Sequence, residues 1–251
     1  MDTIDILSKE FFTQNFAEEP PYADLLVRYK CIARNYAQME SAVAVLSDMR
    51  TNMSYIYYGR FSRMLEMDKC GDVDKVSSIW EKEIFDLIHP DDLAGKHLQE
   101  LCFFHFVKRQ PKRKRADYYL ISKLRMKSGT NNYIPVLHRM FYVSAPSDGT
   151  LWLALCLYSP LLSDIPAKCL IVNSTNGQMT EIGKQDNTRI LSVREKQVLN
   201  LIDKGMTSKK IAETLSISIN TVSRHRQEIL AKLQVKNSIE ACRVAKDLEL
   251  I

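Results

Sequence analysis

No stretch of this 251-residue chain approaches the about eighteen consecutive apolar residues that a membrane-spanning helix needs. Its start, MDTIDILSKEFF, carries acids where a secretory signal places basic residues ahead of an apolar run. A cytoplasmic protein with no membrane partner is therefore expected. Six cysteines (Cys31, Cys70, Cys102, Cys156, Cys169 and Cys242) are scattered without a CxxC pair. That pattern excludes a disulfide framework and a zinc-binding motif, and it predicts reduced, mostly packed thiols and no metal site. A Walker A loop, GxGxxG, HExxH and a nucleophile elbow are all missing, so no catalytic residues emerge and no enzyme is expected. The acidic pair, strand-end Asp and later Lys of a phospho-receiver are missing too. Internal repeats and low-complexity tracts are absent.

What is present is an ordinary globular balance, 45% apolar and 26% charged, in a chain long enough for two modest domains. The net charge of +5 is unevenly spread. From Asp186 onward 12 Lys and Arg face 8 Asp and Glu, while the first 185 residues carry 23 against 22. The basic excess sits in the last quarter, where it suits a nucleic-acid partner.

Residues 4–17 and 22–40 read as two helices separated by EEPPY, whose prolines break the pattern. AVAVLSDM (42–49) and MSYIYYGR (53–60) read as strands with a turn at Thr51-Asn52. FSRMLEM and SSIWEKEIFDLI look helical. A long helix follows, with Pro90 in its first turn and apolar residues at helical spacing from Leu93. Three strands are expected at 117–126, 133–144 and 150–158, with turns at KSGTNN and APSDG. AKCLIVNSTNGQMTEI reads as a hairpin closed near Asn176-Gly177, and polar GKQDNTR (183–189) as a linker.

The order of strand, strand, helices, long helix and three antiparallel strands resembles a PAS domain. LIHPDDL (87–93) resembles the short acidic motif common between that family's helices. The expected fold is α+β: an N-terminal helical segment (1–40), a PAS-like antiparallel sheet with helices (41–162), a hairpin and linker (163–189), and an all-α four-helix helix-turn-helix domain (190–251). The alternative for the first part is a generic α+β domain in which HPDD caps a helix.

The last part rests on its caps. Ser192 and Glu195 are spaced as a capping box, each able to satisfy a free N–H of the first turn. Val198, Leu199 and Ile202 then share a face, and Gly205 is placed to end the helix. Thr207 can cap SKKIAETL, where small Ala212 allows a close helix crossing. Ser218 can cap the next helix. Two short helices joined by a tight turn make a helix-turn-helix. On a wheel of about 100° per residue, Ile219, Val222, Ile229, Leu230 and Leu233 form the buried stripe, while Asn220, Ser223, Arg224 and Gln227 form a polar arc. Thr221, His225 and Lys232 flank it. Such an arc carries donors for base edges in the major groove, where all four base pairs differ.

LSxRExxVL, GxTxxxIAxxLxISxxTV, HxxxIxxKLxV and the closing NxxEA, over about 65 residues, are similar to the LuxR-type (GerE-like) DNA-binding domain of bacterial transcription regulators. The resemblance implies a four-helix domain that binds duplex DNA as a dimer, with Ser223, Arg224 and Gln227 reading bases. Lys209, Lys210, Thr221, His225, Arg226 and Lys232 would contact the backbone. Several relatives carry lysine where this chain has Ser223 and Gln227, so an operator cannot be transferred. Arg226 also departs, standing inside the apolar arc, where its stem can cover the core and its head reach a phosphate. In the fourth helix Asn237 and Glu240 form another capping box, and Ala241 and Ala245 leave a smooth face. By resemblance this helix is the dimer contact; the alternative is that it closes the small core.

KRQPKRKR (108–115) holds six basic residues in eight. It reads as a solvated loop, or as a second DNA contact or docking site. His97 and His105 lie on the long helix where some PAS domains place a haem ligand, but haem is not expected. Cys102 lacks the flavin-photosensor context. Trp80, Phe103, Phe106, Tyr142 and Trp152 read as core. No cofactor is expected, and a small ligand in the PAS-like domain is left open. The combined reading is a DNA-binding transcription regulator, a homodimer with RNA polymerase as a further partner. Three alternatives are a protein-interaction module with lost DNA affinity, a sigma-like, polymerase-dependent DNA binder, and a PAS-based enzyme or haem gas sensor.

Overall fold

The computed structural model describes residues 3–16, 22–67, 69–128, 132–145, 149–182, 191–233, 235–247 and 250–251. The linker expected at 183–189 and parts of the two turns at 127–132 and 145–149 lie outside them. The chain divides into two compact units. One comprises Glu10–Leu93 and Phe103–Glu181; the other comprises Ile182–Ile251 with Met1–Lys9 and Ala94–Cys102.

Two N-terminal helices, α1 (Thr3–Phe12) and α2 (Tyr22–Met39), precede strands β1 (Val43–Asp48), β2 (Met53–Tyr58) and β3 (Val73–Val76). Then come α3 (Lys82–Phe85) and α4 (Pro90–Arg109), followed by β4 (Tyr118–Lys127), β5 (Tyr133–Ser144), β6 (Leu151–Pro160), β7 (Cys169–Asn173) and β8 (Met179–Glu181). The eight strands form one antiparallel sheet in the order β3-β2-β1-β6-β5-β4-β7-β8. The architecture is α+β. The 169–181 hairpin joins the sheet through β4, with Ile171 opposite Leu120.

Strands β1 and β6 are paired inner strands of the sheet and are buried almost throughout, which explains their near-continuous apolar composition. Ala44, Leu46, Leu153, Leu155 and Leu157 gather with Trp152 and with Ala33 and Ala37 of α2. The two alanines let the helix approach the sheet closely. Asp48 ends β1 and is buried. Its carboxylate accepts from the Trp152 indole at 2.9 Å, from Arg50 N at 3.0 Å and from the Thr51 hydroxyl at 2.8 Å. One side chain thus shapes the β1–β2 turn and fixes it to β6.

Around 60–88 the structure specifies one helix reading, shortens another and adds a strand. FSRMLEM, read as helical, forms a 3-10 helix at Arg60–Leu65. In SSIWEKEIFDLI only Lys82–Phe85 is helical. The preceding residues give their backbone N–H groups to side chains, Ile79 to Asn52 Oδ1 and Trp80 to Ser78 Oγ, which competes with helix formation. Finally, β3 was not anticipated. It is a four-residue edge strand with charges in VDKV, too short for an alternating signal.

The HPDD motif does more than cap. His89 Nδ1 accepts from Asp91 N at 3.2 Å, and Pro90 opens α4. Asp92, 6% exposed, reaches β4, where Arg125 donates to it through its backbone N, Nε and Nη2, all at 2.9 Å. Burial alone would raise the Asp92 carboxyl's pKa, but the bonds from Arg125 outweigh it and hold it below the usual carboxylate value. Its stabilisation is complete above the carboxylate's unfolded pKa and is lost as pH falls through the depressed folded value. The stability difference between wild type and Asp92→Asn should therefore be full at neutral pH and shrink below about pH 4, as read from urea unfolding across pH.

Gly59 begins the 3-10 turn, where the chain passes the α2–β1 junction. A Cβ there would lie 2.1 Å from Ala37 O and 2.4 Å from Ala42 O, both backbone atoms that cannot swing aside. Gly59→Ala should cost about 2 kcal/mol or more, seen as a lower urea midpoint at unchanged slope.

Candidate nucleic-acid interface

The C-terminal helices are α5 (Val193–Asp203), α6 (Ser208–Leu215), α7 (Ile219–Leu233) and α8 (Ser238–Asp247). Their ends follow the caps read in the sequence. Ser192 and Glu195 form a reciprocal capping box. Gly205 takes φ +75°, a left-handed conformation that glycine adopts without strain, and ends α5. Thr207 accepts from Lys210 N at 3.4 Å and Ser218 from Thr221 N at 3.0 Å. Asn237 accepts from Glu240 N at 3.0 Å, but the Glu240 carboxylate takes Lys236 N at 3.0 Å instead of Asn237 N, so only half of the capping box expected there forms. Between α6 and α7, Ser216 sits at φ 54° and Ile217 N returns to Ala212 O at 3.0 Å, a tight helix-to-helix turn.

Helix α7 buries Val222, Ile229 and Leu233. Asn220, Ser223, Arg224 and Gln227 are all exposed on it. The polar arc thus stands clear of the core along about two turns. Ile219, expected in the buried stripe, is 49% exposed. It is the helix's first residue, next to the turn, where one side remains open to solvent. Thr221 and His225 are half-buried at the arc's edge, the Thr221 hydroxyl 2.9 Å from that of Ser218. Lys209 and Lys210 are exposed in the first turn of α6. There the free N–H groups and the positive helix end favour an anion.

Two cations expected on the DNA backbone have other partners. Lys232 Nζ lies 2.7 and 2.8 Å from the two carboxylate oxygens of Glu195, a side chain of α5 only 2% exposed. Arg226 donates through Nη1 to Ser208 Oγ at 2.8 Å and through Nη2 to Ser238 Oγ at 3.1 Å, joining the starts of α6 and α8. Both side chains therefore position α7 within the domain. The partners lie 37, 18 and 12 residues away in sequence, so a helical wheel does not show them.

One residue of the face was missed. Glu228 places its carboxylate 3.5 Å from Arg224 Nε and 3.3 Å from His225 Nδ1. The i,i+4 spacing from Arg224 was a readable signal. The motif residue Arg194 also gains a physical role: its guanidinium donates to Leu215 O and closes the end of α6.

Burial would raise the Glu195 pKa, but the bonds from Lys232 and the Ser192 backbone outweigh it and lower it. Glu195→Ala would leave Lys232 and Ser192 N without that partner. The C-terminal domain should lose about 3 kcal/mol, a magnitude typical of breaking a buried pair. Ser223→Ala, on the exposed face of α7, should stay within about 0.5 kcal/mol. Thermal unfolding of the two variants checks the contrast.

Residues 189–245 match the family described as bacterial regulatory proteins, luxR family (GerE). The oxygen regulatory protein NreC of Staphylococcus carnosus is 40% identical over 79 residues, 32% of this chain and 32% of that protein. NreC of Staphylococcus haemolyticus is 38% identical over 71 residues, 28% of this chain and 33% of that protein. The chain spans about a third of the length of the curated relatives it matches. Among solved structures, the Vibrio cholerae VqmA dimer aligns at 13% identity and a TM-score of 0.28 over 88% of each chain. Escherichia coli SdiA aligns at 17% identity and a TM-score of 0.26 over 99% of this chain and 97% of that one. Among the described residues no helix is long and apolar enough to cross a membrane.

Proposed function

From the LuxR-type helix-turn-helix at its C-terminus, we propose that this chain is a sequence-specific DNA-binding transcription regulator, with the N-terminal sheet as a PAS-like input domain. The observation that carries the reading is the exposed face of α7, where Asn220, Ser223, Arg224 and Gln227 stand opposite the buried Val222, Ile229 and Leu233. In a helix-turn-helix this face enters the major groove. Arg224 is the strongest candidate for a bidentate contact to guanine, and Gln227 for one to adenine. Ser223 and Asn220 contribute further donors and acceptors. Lys209 and Lys210 hold phosphates from the first turn of α6, and Thr221 and His225 border the groove wall. Lys232 and Arg226 set the angle of α7.

The PAS-like reading is supported by the order of elements. Strands β1 and β2 come before the helices and β4, β5 and β6 after them, yet β1 pairs with β6. It is also supported by the tie from Asp92 to Arg125. A homodimer through α8 is supported by Ile239, which is 84% exposed beside a surface depression lined by Ile202 and Cys242. A change at the input domain would then act on the spacing of two reading helices.

A second reading has its own observation. Glu228 puts a carboxylate on the reading face beside Arg224, and this favours a protein-interaction module with weakened DNA affinity. Selection of randomised duplex DNA with the purified chain separates the two. The regulator yields an enriched half-site, two-fold repeated, that is lost or relaxed with Arg224→Ala. Its affinity should fall with salt at a log–log slope of roughly −4 to −8. No enrichment by the folded protein, with or without RNA polymerase, would favour the interaction module.

A further inference from the structure

The basic run 108–115 is solvent-exposed over most of its length, but it spans the end of α4 and an ordered turn. After α4 ends, Lys112–Asp117 forms a 3-10 turn, and Lys112, Arg113 and Lys114 are all exposed on it. Arg115 turns inward instead. Its Nε donates to Gln110 O at 3.2 Å, its Nη2 to Lys108 O at 2.9 Å and its Nη1 to Gly149 O. Lys112 is held from the same side. Its aliphatic stem lies against Gly149, so that a Cβ at that position would sit 2.7 Å from Lys112 Cδ. Gly149 also has φ +74°, which favours glycine. One cation of the run is thus used as an anchor, and three are displayed by a turn pinned at both ends. No acidic residue interrupts 108–116.

We infer that this turn is a second contact to the phosphate backbone of duplex DNA, outside the stretch that α7 reads. The inference rests on the DNA-binding reading above. Three displayed cations suit a polyanion, and each phosphate neutralised releases counterions. A membrane surface fits poorly, because the only apolar residues of 108–116 are Pro111 and Ala116, neither able to anchor in lipid. Because the turn and the helix-turn-helix belong to one chain, a contact of the turn with the same duplex is intramolecular, so even a weak one adds to affinity.

The test uses the full chain and two duplexes. One is limited to the selected core site, and the other extends it by about two helical turns, about 20 base pairs, on each side. Wild type should show a steeper salt dependence on the extended duplex, its log–log slope larger by about 2 to 3. The K112Q/R113Q/K114Q variant should bind the core duplex as wild type does and lose the extra slope. Wild type that binds the core without any increment on extension would overturn this inference alone. So would an increment that survives in the variant. Wild type that binds neither duplex would overturn the DNA-binding reading and this inference with it.

Discussion

The carboxylate of Glu195 holds the C-terminal domain in register. It stands in the first turn of α5, almost fully buried, taking Ser192 N at 2.6 Å and the Lys232 ammonium at 2.7 and 2.8 Å. An unpaired buried carboxylate would cost several kcal/mol, so both partners are needed to offset its desolvation. Lys232 lies near the end of α7, and fixing it fixes the rotation of that helix against α5. Rotation is what matters for a reading surface. At about 100° per residue, a slip of one position would carry part of the polar arc toward the core. Arg226 acts alongside it, tying α7 to the starts of α6 and α8. The exposed array of Asn220, Ser223, Arg224 and Gln227 follows from burial of Val222, Ile229 and Leu233, and these bonds fix the rotation at which that burial is held.

The sheet unit uses the same device. Asp48 accepts from Trp152 across 104 positions of sequence, and Asp92 accepts from Arg125 across 33. Each is a buried acid that satisfies its oxygens with donors from distant segments. Around Asp48 the apolar contacts of Leu46, Trp152, Leu153 and Ala33 supply the bulk of burial, while the carboxylate specifies which turn meets which strand. Hydrophobic contact alone is non-directional, whereas these hydrogen bonds are not.

Much of this was legible in the residues. The strands at 43–48, 53–58, 118–127, 133–144 and 151–160 follow alternating or continuous apolar runs, and Ser192, Thr207, Ser218 and Asn237 announced the four C-terminal helices. Caps and periodicity are local, so sequence carries them directly. What escaped was non-local or competitive. Strand β3 forms because β2 offers an edge, Ser54 facing Val76, not because VDKV prefers to be extended. The helix expected around Trp80 lost its first turn to side-chain acceptors, one of them Asn52, 27 residues away. In the candidate site the exposed arc could be read from a wheel. The internal roles of Lys232 and Arg226 could not, since their partners come from other helices. For a basic side chain near a reading face, exposure alone does not separate a phosphate contact from a structural one; the nearest acceptor does.

The central claim is that the exposed face of α7 enters the major groove. Methylation interference on a bound duplex tests it most directly, because guanine N7 is modified in the major groove and adenine N3 in the minor groove. The claim predicts interference at guanine N7 positions clustered in two patches related by two-fold symmetry, one helical turn or a multiple of it apart. Interference confined to adenine N3 would contradict it.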